Sequence, residues 1–282
     1  MTTTIKKFTV ALILIAALVT ACAFAGAGAF AAEAAGETYY ADASAYSAAT
    51  VTETVNYVSK TEDSNFVNSS FPNYYNSDSS LTNTCANVAG ANLIGFYDRF
   101  YSDLIPGCTP GVLRGTSYTY FPMTLNLNEK QGVIAALYTA MGTNTIESGT
   151  SQQQFKTGLT SYVNGCGQSI SFTSYVSSGV LNWEGVTAAI DDGKPVALYL
   201  EDYNISSRTV NSNSDVYAKE ITYGNHIAIA YGYNEVKYFD ASGALTRTVR
   251  YFNISTGYNR AQAIYIVGNN GVLGDAEAVN IY

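Results

Sequence analysis

Helical patterns come before strand patterns in this 282-residue chain, and that order predicts an α+β fold rather than alternating βαβ units. Three observations carry the prediction. Between residues 85 and 163, apolar residues recur at three- and four-residue spacing. From residue 226 onward they run continuously or alternate. The turn signal Asp240-Ala-Ser-Gly243 then divides two strand-like runs.

The first helix is expected to open at Cys85, within TNTCANVAGANLIGFYDRF. Val88, Ala89, Leu93, Phe96, Tyr97 and Phe100 give it one apolar face, and Pro106, Gly107, Pro110 and Gly111 end it in a loop. A second helix is expected over Asn128 to Met141, through Val133, Ile134, Leu137 and Met141. A third spans Ser151 to Val163, using Phe155, Leu159 and Tyr162. Gly165 and Gly167 close it, and Ser169 to Val176 alternates like a strand. Trp183 to Ile190 reads as a short helix stopped by Asp192-Gly193-Lys194-Pro195, and Val196 to Leu200 as a strand. Ile227 to Tyr233 fits a buried strand. Val236 to Phe239 and Leu245 to Ile254 form a hairpin around the turn, and Ala263 to Val267 adds another strand.

Lys6 and Lys7 precede an uncharged, largely apolar run from Phe8 to Ala32, and Ala29-Phe30-Ala31 has the small-x-small form of a cleavage site. Residues 1–31 are therefore expected to be an export signal, and the protein secreted or held at the cell surface. Two alternatives stand beside cleavage. Val19-Thr20-Ala21-Cys22 has the form of a lipoprotein box that would acylate Cys22, and the run is long enough for a membrane anchor. Residues 32–70, rich in Ala, Ser, Thr and Tyr, read as a linker, a short pro-segment or an extended arm. Residues 71–282 read as one domain. Without residues 1–31, 12 basic and 22 acidic side chains remain. That acidity argues against nucleic acid or an anionic membrane surface as a partner.

Residue 226 is the only histidine. A Cys/His nucleophilic pair would therefore have one choice of base, and imidazole is the side chain suited to that task near neutral pH. Cys85, at a helix start, is placed where unpaired N–H groups and the helix dipole favour a thiolate and can also hold an oxyanion. Each residue also has a plainer role open to it: a small buried hydrophobe for Cys85, a hydrogen-bonded structural ring for His226. Cys108 and Cys166 lie in Gly-flanked loop sequence and are a candidate disulfide, leaving Cys85 as the odd thiol. No His/Cys/carboxylate cluster has zinc spacing and no Gly-rich phosphate loop follows a strand, so no cofactor is expected.

TNTCANVAGANLIGFYD, IDDGKPVALYL and NHIAIAYGYN together resemble the papain-like cysteine peptidases, in particular the bacterial branch of double-glycine (bacteriocin-leader) peptidases and their secreted relatives. The resemblance covers about residues 70 to 270. It implies a papain-like fold, with a nucleophile helix packed on a C-terminal antiparallel sheet, and a peptide or protein substrate cleaved through an acyl-enzyme. It implies Cys85 as nucleophile, His226 as base, Asn253 as the residue orienting the imidazole and Asn76 as an oxyanion donor. Asp240 and Asn83 are the respective rivals of the last two. One departure stands out: the family's usual Gly after the nucleophile is replaced by Ala86-Asn87. A papain-like transglutaminase or amidase, or a non-catalytic surface or binding protein on the same fold, remain the alternatives.

Overall fold

The computed structural model describes residues 37–42, 45–68, 71–105, 113–114, 117–118, 127–258, 260 and 263–282. The expected export signal with Cys22, the loop from Pro106 to Gly111, and Cys108 with its candidate disulfide lie outside the described residues. Among those described are four helices, α1 (Cys85–Tyr97), α2 (Leu127–Met141), α3 (Gln152–Gly165) and α4 (Trp183–Asp191). The strands up to the third helix are β1 (Tyr39–Tyr40), β2 (Ala45–Asn56), β3 (Ser59–Phe66), β4 (Leu113–Arg114), β5 (Ser117–Tyr118) and β6 (Thr150–Ser151). Then come β7 (Ile170–Ser174), β8 (Val176–Ser177), β9 (Val180–Leu181), β10 (Val196–Glu201) and β11 (Asn204–Val210). The series ends with β12 (Ser214–Tyr223), β13 (His226–Phe239), β14 (Leu245–Ser255), β15 (Ile264–Ile266) and β16 (Val272–Ile281).

The chain is a mixed α and β protein built on a 10-stranded antiparallel sheet, ordered β2-β12-β11-β15-β14-β13-β10-β16-β7, with β3 paired to β13 off that path. Its centre is covered on both faces. Ala197 and Tyr199 of β10, with Ile227 and Ile229 of β13, join α1, α2 and α3 in one core. Val196, Leu198 and Leu200, with Ala228 and Ala230, join Trp183, Val186 and Ile190 of α4 in a second. Two covered faces explain why these strands read as unbroken apolar runs.

The helices begin for local reasons. Ser151 caps α3 in a reciprocal capping box with Gln154, and the Asn182 side chain accepts the Gly185 N–H at the start of α4. α1 differs: every one of its residues is buried, so it presents no face to solvent. The Tyr97 hydroxyl ties its far end to the sheet by donating to the Val279 carbonyl at 2.6 Å.

Away from the helices the sheet bends back on itself. β13 runs beyond β10, and β3 takes the vacated edge over residues 232–239. β2 borders β12 at the other end of the path, yet only Tyr57 and Val58 separate it from β3. The closure brings Lys60 and Glu62 of β3 against Asp215 of β12 and Arg208 of β11. Asp215 is fully buried and accepts from Lys60, Arg208 and the Tyr238 hydroxyl. Burial pushes its carboxyl up, but the hydrogen bonds from Tyr238, Lys60 and Arg208 outweigh it and hold the group below the usual carboxylate range.

Residues 32–70, expected as a linker, pro-segment or arm, thus contribute three strands. β11, β12 and β16 also go beyond the strands expected from the sequence. In β11 and β12, Ser, Thr, Lys, Arg and Asn residues on a partly covered face mask the alternation, and in β16 Gly274, Asp275 and Glu277 interrupt the apolar run.

Replacing Asp215 with Ala would take away the buried carboxylate shared by Lys60, Arg208 and the Tyr238 hydroxyl, leaving the largely buried Arg208 guanidinium with Glu62 as its remaining carboxylate. Urea unfolding should show a loss of about 3–5 kcal/mol. Asp63→Ala, at an exposed position of β3, should stay within about 0.5 kcal/mol of the parent.

Candidate active site

Cys85 is the first residue of α1 and is only 3% exposed. Thr84 gives the helix no side-chain cap. Its backbone N–H instead donates to Asp42 Oδ2 at 2.9 Å, and its hydroxyl lies 3.4 Å from the same oxygen. The backbone N–H groups of Ile227, Ala86 and Cys85 itself reach the sulfur and favour the thiolate. Burial, reinforced by the Asp42 carboxylate, wins: the thiol is pushed up to about 12. In this arrangement Cys85 is protonated at neutral pH.

His226 opens β13 and is 2% exposed. Its ring lies between Tyr203, 5.0 Å away and nearly parallel, and Tyr258 at 4.8 Å. Nε2 lies 2.8 Å from the Thr256 carbonyl oxygen and Nδ1 3.1 Å from the Tyr258 hydroxyl. A carbonyl can only accept, so Nε2 carries the proton and Nδ1 offers its lone pair to the Tyr258 O–H. Burial lowers the imidazole pKa to about 4, opposed in part by the Thr256 carbonyl and the Asp42 charge.

The structure brings Cys85 against the backbone of Ile227, the residue after His226, but it does not bring the imidazole to the sulfur. His226 pairs with Leu200, and paired residues share a face. Leu200 and Ala228 belong to the second core, whereas Ile227 and Cys85 belong to the first. The ring therefore lies on the face of β13 away from α1, with both nitrogens engaged. A ring facing Cys85 across a cleft, as the sequence led us to expect, is not the arrangement found.

Asn253 stands opposite Gly232 in the β13–β14 ladder. At about 3.3 Å per residue, the offset from His226 is roughly 20 Å along the strand, so Asn253 does not orient this ring. The Thr256 carbonyl does. Counting outward from the hairpin turn would have found the ring's other partner, since the pairs Phe239↔Leu245 and Ile229↔Ser255 extrapolate to His226 opposite Tyr258. Asp240 binds its own turn, accepting from the N–H groups of Ser242 and Ala244. Asn76 spends its amide on its own loop, with Nδ2 donating to the carbonyls of Asp78 and Leu81 and Oδ1 accepting from Asp78 N–H. Asn83 donates to Asn144 and Ser148. The donors at the sulfur are therefore backbone N–H groups. Cys166 caps the C-terminus of α3 and packs beside the first core.

Asp42 was missed altogether, because nothing in its Ala- and Tyr-rich surroundings signals a contact with a helix start. Among the described residues no group of His, Cys and carboxylate side chains is arranged to hold a metal ion.

The buried neutral ring has a consequence for stability. Unfolding lets His226 take up a proton near its ordinary pKa of 6.5, which the folded state refuses until about pH 4. Its contribution is thus intact above pH 6.5 and is lost as pH falls toward 4, by about 3 kcal/mol. Urea unfolding at pH 7.5 and pH 4 should show a difference that shrinks by that amount in His226→Gln. Set against protein-family models, curated proteins and solved structures, the chain has no match.

Proposed function

We propose that this chain is a papain-like cysteine peptidase, exported from the cell and held here in a resting arrangement. One observation supports it above the rest. The Cys85 sulfur sits at the N-terminus of a buried helix with backbone N–H groups of Cys85, Ala86 and Ile227 directed at it, and the third of these adjoins the sole histidine. Those donors suit both a thiolate and the oxyanion of a tetrahedral intermediate.

In the reaction, the Cys85 thiol passes its proton to Nδ1 of His226 and the sulfur attacks the peptide carbonyl. The amine leaves with that proton, giving a thioester, which water then hydrolyses. At rest the Thr256 carbonyl holds Nε2–H, in the role expected of Asn253. The ring reaches the sulfur only if the terminal His226–Leu200 pair opens. Gly224, with φ of 120°, stands two residues before His226 and gives the strand end a place to turn.

A second reading, a binding protein without catalysis, is favoured by the present position of the ring, with both nitrogens engaged on the face away from Cys85. Turnover of a mixed peptide library by the purified chain separates the two. For a peptidase, Cys85→Ser and His226→Ala each lower kcat/KM by at least about 10³-fold, while Asn253→Ala stays within about threefold, being remote from the ring. Equal, negligible cleavage by all four proteins selects the binding role. Transfer to an added amine in preference to water selects a transglutaminase.

A further inference from the structure

The segment Tyr39–Asp42 touches the residue before the nucleophile and the residue before the histidine. On one side, Asp42 accepts the Thr84 N–H. On the other, Ala41 N–H donates to the Asn225 carbonyl at 3.1 Å, and Asn225 Nδ2 returns a hydrogen bond to the Tyr39 carbonyl at 3.0 Å. Between these anchors Tyr39 and Tyr40 pair antiparallel with Ser151 and Thr150. The backbone is therefore extended, and its polar groups are read by neighbouring backbone as a bound strand's would be.

The side chains fit the same description. Tyr40 is 3% exposed and sits in the first core with Cys85, its ring 5.6 Å from that of Tyr199. Gly149, at φ of 110°, lies directly against the Tyr40 carbonyl, and any Cβ there would collide with it. That glycine leaves room for a strand to lie flat on β6. Asp42 places a carboxylate beside the first turn of α1, where an anion is favoured and where a reaction's oxyanion would be held.

We infer that Tyr39–Asp42 occupies the groove in which the enzyme takes its substrate, and that the substrate is an extended peptide with a large aromatic side chain in the place of Tyr40. The segment is an internal competitor. While it stays, Cys85 is covered and faces a carboxylate; when a peptide displaces it, both effects end together. This rests on the peptidase assignment above for the word substrate, but the occupancy itself is independent of turnover.

The test is site-resolved alkylation of Cys85 by iodoacetamide at pH 7.5 in the full chain, read by mass spectrometry. Tyr40→Gly should raise the rate at Cys85 at least tenfold, and Asp42→Asn should raise it severalfold. An added peptide of sequence ETYYAD, at millimolar concentration, should slow the Tyr40→Gly protein back toward the parent, and its ETYAAD analogue should not. If Tyr40→Gly loses its Trp183 fluorescence signature, Asp42→Asn carries the test, since it removes only a charge. Unchanged rates in natively folded variants overturn the occupancy, and equal protection by both peptides overturns the aromatic preference. Slower alkylation in Asp42→Asn makes the carboxylate a helper of His226 and overturns the competitor role. Faster alkylation with no hydrolysis of any aromatic peptide leaves the groove and its occupant standing and removes the peptidase assignment.

Discussion

Burial of one strand on both faces governs how the candidate site is arranged. The start of β13 lies between α1 to α3 on one side and α4 on the other, so its residues must alternate between two dry cores. Ile227 and Ile229 are committed to the first, and the small Ala228 and Ala230 to the second. With that alternation set, His226 has no freedom: it follows Ala228, while the Ile227 N–H goes to Cys85. A shift by one residue would exchange the two, but it would also drive isoleucines into the alanine side, and dense cores resist that. The position of the imidazole is therefore a consequence of packing on either side of it.

Much of the layout was legible in the sequence because periodicity reports burial. The helix opening at Cys85, the helices ending at Met141 and near Gly165, the short helix at Trp183 and the hairpin about Asp240–Gly243 all have strong apolar rhythm or explicit turn residues. The strands that escaped notice are those whose outer face is wet or charged. β2 and β3 hold Thr, Ser, Glu and Lys because they close the bent sheet around a polar network instead of a helix layer.

The elements that carry Cys85 and His226 were legible in the sequence, and the geometry between them was not. Cys85 at a helix start followed from composition and pattern, and so did His226 at a strand start. The groups that hold them did not. Thr256 acts through a carbonyl, which every residue possesses, so no residue type could announce it. Asp42 acts across 42 positions of sequence from within an unpatterned stretch. Asn253 was a reasonable orienter by residue type, yet the antiparallel register sets it opposite Gly232. Residue identity points to chemistry; ladder register decides which pieces of it meet.

β3 has an effect that extends beyond the single molecule. It pairs with β13 along one side only, and it is exposed nearly throughout. A bare strand edge of eight residues would invite the same edge of another copy to dock and propagate. Here Lys60 and Glu62 are held in the ion-pair network with Asp215 and Arg208, and the exposed Thr61, Asp63 and Ser64 keep the border polar. A neighbouring copy would have to desolvate them to pair, so the sheet ends in a border that discourages growth, and crowded copies are kept from merging into a larger sheet.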